Sequence, residues 1–369
     1  MNNNWDGIFG HRHNREVLDR IIHTSKIPHA MLFAGKKGIG KDYFAIRFAQ
    51  LINKRFCPPE LYEKVETGIA HLNEPYLKFI FALPRGKNES DETGPYEKLT
   101  SEELEEIKEE LSKKIKNPYY RISLEKANNI KVSSIRDINK FLSLEFDPSY
   151  YRFVMISDAH LMNETSQNAL LKNLEEPPDR VVFILTTSYP DLLRETIRSR
   201  CWSLYFNPLN NEDLSSILTT YFGIEKDLAD EVSIFSDGSV ETASQLIEHD
   251  FKLLKEKTIK FLRYALGKKF HAAYSEIQDL ISDDSYNLKL LIQMIITWLN
   301  DLQKHRLEGK NYFYSDYMDT LEKFNNKFPK SNIHNVVFNL DKLSSLVDNN
   351  INPNLLTMNL IYGVSNLTK

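Results

Sequence analysis

The sequence predicts an α/β P-loop module, a parallel sheet with flanking helices, followed by a small helical unit and an all-helical C-terminal domain. Three observations carry this. HAMLFAG (29–35) is a short apolar run that closes on glycine and leads into a helical pattern from Tyr43 to Ile52, so it reads as strand, glycine loop, helix. YRFVMIS (151–157) and RVVFILTTS (180–188) are uninterrupted runs of branched and aromatic residues, as suits parallel strands buried on both faces. After Pro208 such runs stop and helical patterns take over.

Between the two later runs, NETSQNALLKNLEEPP (163–178) predicts a helix stopped by Pro177 and Pro178. Strands alternating with helices put helices on both sides of the sheet. Residues 57–120 interrupt that order and are expected to be an insertion, a surface element within the α/β domain over 1–208. Its clear helix starts where Thr100 can cap while Glu103 reaches back. Leu104, Ile107, Leu111 and Ile115 then share one face, with acidic residues leading and lysines trailing, as the helix dipole favours. Residues 209–250 predict a small helical unit carried by NNEDLSSILTTYF and DGSVETASQLIE. Within 251–369, NLKLLIQMIITWLNDLQKH (287–305) is apolar around much of its circumference and should be deeply packed.

The length of 369 residues exceeds one ordinary core. A formal charge of -4 argues against a strongly basic nucleic-acid binder, although a local basic face stays open. Two cysteines are too few for a disulfide framework or a cysteine-rich zinc site. The apolar runs are broken by polar residues, which argues against a membrane span. MNNNWDGIFGHRHNREV lacks the apolar core of a signal peptide. The expectation is a soluble, cytoplasmic protein.

The chemistry centres on Gly35-Lys-Lys-Gly38-Ile-Gly40-Lys41-Asp42, nearly the phosphate-binding pattern G-x-x-x-x-G-K-[ST]. Glycines let backbone N–H groups close around phosphates at a helix N-terminus, the lysine adds charge, and the final hydroxyl binds magnesium. Here that hydroxyl position is Asp42. The simpler reading is a glycine-rich turn with a surface lysine. At the strand end VMISDAHLMN (154–163), Ser157 stands where a metal-organising acid is expected and Asp158 where a water-orienting one is. His160, two residues on, reads as a packed or exposed histidine rather than a metal ligand.

FGHRHNREVLDRII, KIPHAMLFAGKKGIGK, LMNETSQNALLKNLEEPP and FILTTSYPDLLRETIRSRCWSLYF, in that order, resemble the bacterial DNA polymerase III clamp loader. The combination of LLKNLEEPP (170–178) with Ser199-Arg200-Cys201 is specific, and within the family the chain is most similar to the delta-prime subunit. The resemblance implies an AAA+ module (1–208), a lid (209–250) and a collar domain (251–369) that builds a ring; INPNLLTMNLI (351–361) fits the collar. It implies partners: gamma/tau ATPase subunits, the delta subunit, and through the complex the sliding clamp and primer-template DNA. Thr186 and Thr187 take sensor-like positions. Arg200 of the Ser-Arg-Cys motif becomes an arginine finger offered in trans, a role suited to a guanidinium that stays charged and forks onto phosphate oxygens. The alternative is that Arg194, Arg198 and Arg200 form a solvated helix face.

Three departures from the ATP-hydrolysing pattern agree: Asp42 for the hydroxyl, Ser157 for the acid, and Glu241 in GSVETA (238–243) where ATP-using relatives carry arginine. A carboxylate about 4 Å from a phosphate charge costs roughly 4 kcal/mol at an effective dielectric near 20. Weak or no ATP binding is therefore expected, with no cofactor required. Many relatives carry a four-cysteine zinc module after the P-loop helix; Cys57 and His71 cannot supply four ligands, so no zinc is expected. The expectation is a non-hydrolysing delta-prime-like stator. The alternative is an active ATPase, gamma/tau-like or another P-loop enzyme.

Overall fold

The computed structural model describes residues 5–90, 93–283, 286–310, 312–347 and 351–368. The first four residues of the N-terminal segment read against a signal peptide lie outside these. The chain forms two compact units: residues 1–229 with Gly238–Glu241, and Asp230–Asp237 with Thr242–Lys369.

The first unit opens with α1 (Arg12–Thr24), then β1 (Ala30–Gly35) and α2 (Lys41–Phe56). α3 (Pro59–Ala70) leads to β2 (Leu77–Ile80), and α4 (Ser101–Lys116) and α5 (Val132–Ser143) precede β3 (Arg152–Ile156). α6 (Glu164–Glu175), β4 (Val181–Thr187), the short α7 (Glu195–Arg198) and β5 (Trp202–Phe206) complete the sheet region. α8 (Asn211–Phe222) follows; α9 (Lys226–Phe235) and α10 (Val240–Glu248) come next in the chain.

The five strands are all parallel in the order β2-β3-β4-β1-β5. β3 and β4 are buried along their whole length, which is why both were legible as unbroken apolar runs. Phe33, Phe44, Phe48, Phe153 and Ile184 pack one side of the sheet, and Leu32, Ile138, Val154, Leu170 and Phe183 the other. The parallel register puts the carboxyl ends of β1, β3 and β4 side by side, so Gly35, Ser157 and Thr187 open onto the same edge.

The expected insertion over 57–120 needs correction. β2 lies inside it and pairs with β3 from Leu77↔Phe153 to Ile80↔Ile156. The strand is only the four residues LKFI, too short to show a pattern. α4 carries the predicted capping box: Glu103 N–H donates to Thr100 Oγ1 (3.2 Å) and Thr100 N–H to Glu103 Oε2 (2.8 Å). It is more than a surface element, because Ile107 joins the core and Glu110 and Lys114 are buried.

In the second unit α11 (Phe251–Leu266), α12 (Phe270–Asp283), α13 (Tyr286–Arg306), α14 (Met318–Lys327), α15 (Ile333–Leu346) and α16 (Pro353–Ser365) form a helical assembly. α13 is its axis, with Leu288, Leu291, Met294, Ile295, Trp298, Leu299 and Leu302 all without solvent exposure. No helix among the described residues is long and apolar enough to cross a membrane.

Candidate functional site

The glycine loop sits between β1 and α2, as predicted. Gly38 (φ 73°) and Gly40 (φ 88°) use left-handed backbone, and a Cβ on Gly40 would come within 2.7 Å of the Tyr119 ring. Lys41 is buried and turned back on its own loop. Its ammonium donates to the carbonyls of Gly35 (2.8 Å) and Lys36 (2.7 Å) and to Ser188 Oγ (3.4 Å). Burial pulls its pKa down to about 8, against the pull of Asp42, Asp158 and Glu241.

Asp42 lies in the first turn of α2, where a carboxylate suits the helix dipole. Both of its oxygens are taken. Thr186 Oγ1 donates to one (2.8 Å), Ser157 Oγ to the other (2.8 Å), and the Lys114 ammonium stands 3.5 Å from the second. Two of the positions read as departures, Asp42 and Ser157, thus bond to each other. Asp158 and Glu241 are joined through Arg121, whose guanidinium reaches Asp158 Oδ2 (2.8 Å) and Glu241 Oε1 (3.2 Å); Lys37 also pairs with Glu241 (2.8 Å). Burial pushes the Asp158 carboxyl up, but Arg121 outweighs it and holds the pKa below the usual range. Lys114 is fully engaged, donating also to the carbonyls of Pro118 and Tyr120 (2.8 Å each), and burial lowers its pKa.

Between the glycine loop, Lys114, Tyr119 and Arg121 lies a cavity of about 50 Å³, and a second of about 300 Å³ opens past Asp42, Ser157 and Asp158 toward Phe79 and Asn128. The first holds a few water molecules; the second reaches the lower end of the range for small-molecule sites, about 300–1,000 Å³. Beside the glycine loop, Asp42, Lys114 and Arg121 are engaged in ion pairs: Lys114 with Asp42, and Arg121 with Asp158 and Glu241.

Thr187 lies one residue beyond Thr186 and serves a different purpose. Its hydroxyl accepts from the Tyr189 N–H (3.1 Å) and meets His160 Nδ1 (3.2 Å). His160 is packed edge-on against Tyr189, its pKa lowered by burial, which matches the packed-histidine reading. Among the described residues no cluster of His, Cys, Asp and Glu could hold a metal, and Cys57 and Cys201 are both buried thiols.

Away from this cleft, Ser199, Arg200 and Cys201 lie just after α7. Burial raises the Cys201 thiol to about 12, so it is an inert packing residue. Ser199 Oγ donates to the Thr196 carbonyl (3.3 Å). The Arg200 guanidinium is partly exposed, donating to the same carbonyl (2.9 Å) and pairing with Glu175 (2.7 Å). Arg194 pairs with Glu164 and Arg198 with Asp191, both on the surface.

A family model described as "DNA polymerase III, delta subunit" matches residues 10–210, which include the whole glycine loop, the strand ends and the Ser-Arg-Cys motif. The chain belongs to that family. It is an AAA+ clamp-loader family member, and the relatives agree at that level. DNA polymerase III subunit gamma of Buchnera aphidicola subsp. Schizaphis graminum is 28% identical over 82% of this chain and 72% of its own length. DNA polymerase III subunit delta' of Escherichia coli is 30% identical over 40% of this chain and 45% of its own. A solved gamma subunit-related protein from Thermotoga maritima covers 96% of this chain and 99% of itself at 19% identity and a TM-score of 0.45.

For a clamp-loader family member, the residues that sequence reasoning missed are Lys114, Tyr119 and Arg121. All three lie around the end of α4: Lys114 and Tyr119 reach back to Asp42 and Gly40, and Arg121 reaches forward to Asp158 and Glu241. No spacing rule links them to the glycine loop. The one available signal was composition: a lysine and an arginine flanking Pro118-Tyr-Tyr in an otherwise solvated segment.

Proposed function

We propose that this clamp-loader family member is a delta-prime-like stator that does not hydrolyse ATP. It would assemble with gamma/tau and delta subunits, help load the sliding clamp on primer-template DNA, and offer Arg200 to a neighbour's nucleotide. Residues 251–369 would act as the collar through which it assembles, with 209–250 as the lid, and no cofactor would be required. One observation carries the reading: Asp42, in place of the magnesium-binding hydroxyl, has both carboxylate oxygens taken by Ser157, Thr186 and Lys114.

Steady-state phosphate release by the purified chain tests it. The expected rate equals that of a Lys41→Ala control with and without primed DNA. Turnover that disappears in Lys41→Ala would make the chain a gamma/tau-like motor instead. A second measurement concerns assembly. Light scattering should find the chain unable to close a ring by itself, because its nucleotide side is defective. Mixed with gamma/tau subunits it should join a heteromer, and deleting 251–369 should abolish that association.

A further inference from the structure

The segment from Lys114 to Arg121 does more than cross the surface. Lys114, with its side chain 4% exposed, ties the carbonyls of Pro118 and Tyr120 to the carboxylate of Asp42. Tyr119, held between them, lies against Gly40 at the start of α2; its hydroxyl accepts the Phe9 N–H (3.3 Å), and its ring meets Tyr43 and Tyr221 edge-on at 5.2 and 5.1 Å. Arg121 then bridges Asp158 to Glu241. A loop passing over a cleft would satisfy its polar groups with water. This one gives a buried cation, a ring and a guanidinium to the cleft wall.

A buried ammonium left without a counter-ion is heavily penalised, as is a carboxylate stripped of its cation. A serine at position 42 would remove the carboxylate nearest Lys114 and leave it only the more distant charge of Asp158. We propose that Lys114–Arg121 is a built-in occupant of the P-loop cleft, and that Asp42 is one half of a matched pair with Lys114 rather than a decayed magnesium ligand. This rests on the non-hydrolysing reading of the same site and extends it. The cleft is shut by the chain itself, and the glycine loop serves as a socket for the chain's own segment.

The test is a double-mutant cycle on thermal unfolding of the isolated full chain, without nucleotide or partner subunits. Lys114→Met and Asp42→Asn should each lower the midpoint by roughly 10 °C. The double variant should return to within about 3 °C of wild type, because removing both charges leaves neither one stranded. Losses that simply add in the double variant would overturn the pairing. Should a single variant not fold, Tyr119→Ala gives a second reading through calorimetric titration with ADP. A cleft closed most of the time weakens apparent affinity by its open fraction, so Tyr119→Ala should bind ADP at least about tenfold more tightly than wild type. Equal affinity, or no binding by either protein, would mean that the segment is not what closes the site. The unfolding cycle involves no turnover, so its failure leaves the stator reading standing. Lys41-dependent hydrolysis by the wild type would overturn that reading without affecting the cycle.

Discussion

Two basic clusters in the first unit are built in opposite ways. In the P-loop cleft, Lys41 and Lys114 are 6% and 4% exposed and locked to carbonyls and carboxylates. Near the Ser-Arg-Cys motif, Arg194, Arg198 and Arg200 keep 43%, 39% and 35% of their side chains in solvent, each with one surface carboxylate for company. Buried pairs lose about 3–5 kcal/mol when one partner goes; exposed pairs contribute about 0–1 kcal/mol. A charge committed internally has nothing left for a ligand. Arg200 can leave Glu175 at little cost, which is what the finger role proposed for it requires.

The sharpest way to break this contrast is Arg200→Ala in a reconstituted loader. We expect the subunit folded and the complex assembled, while DNA-stimulated ATP hydrolysis falls. An arginine finger accounts for about 10³–10⁵ in rate at the site it serves, and the whole-complex loss will be smaller because other sites keep their own. Arg200→Lys should rescue poorly, since an ammonium lacks the bidentate fork. Unchanged hydrolysis would return the motif to a solvated helix end.

A smaller effect comes from the closed cluster and is read by pH. At pH 7 folded and unfolded chains both carry the Lys41 ammonium, so its burial cost is present in full. Above about pH 8 the folded chain releases that proton while the unfolded chain holds it to 10.5. Lys41 therefore makes unfolding free energy rise with pH in that window, by up to ~3 kcal/mol. Buried phenols such as Tyr119, whose pKa is raised by burial, oppose the rise above pH 10. Denaturant unfolding between pH 8 and 10 should show a positive slope in wild type relative to Lys41→Met; parallel profiles would mean Lys41 is not desolvated.

The smallest effect sharpens the exposed side. Arg194→Ala removes a surface pair with Glu164 and should change stability by no more than ~0.5 kcal/mol, with loader hydrolysis unaltered. A loss comparable to that of Arg200→Ala would show that the three arginines act as a patch, and the special role of Arg200 would go.

Much of the sheet was legible because β1, β3 and β4 are buried on both faces and so lack polar interruptions. The glycine loop was legible because left-handed backbone at Gly38 and Gly40 limits the choice of residue. α4 announced itself through the Thr100–Glu103 box. β2 did not, since four residues at a sheet edge leave too short a pattern. The departures at Asp42, Ser157 and Glu241 could be noticed one by one. That Ser157 bonds to Asp42, and that Arg121 gathers in Glu241, could not, because contacts across 115 and 120 residues leave no periodicity to read.

Gly38 bears on how genetic lesions in this chain should be interpreted. Its carbonyl accepts the Val240 N–H (2.8 Å), and any side chain there would collide with Ser239 Oγ and Glu241. An alanine allele would therefore dislodge Ser239–Glu241 from the loop and loosen Arg121 with them. Its carrier could show a replication defect that looks like the loss of nucleotide binding, although no nucleotide need be involved. An inactivating allele in the glycine loop is thus no proof of an ATP-dependent step. The informative comparison is with a lesion at Arg121, which should give the same defect.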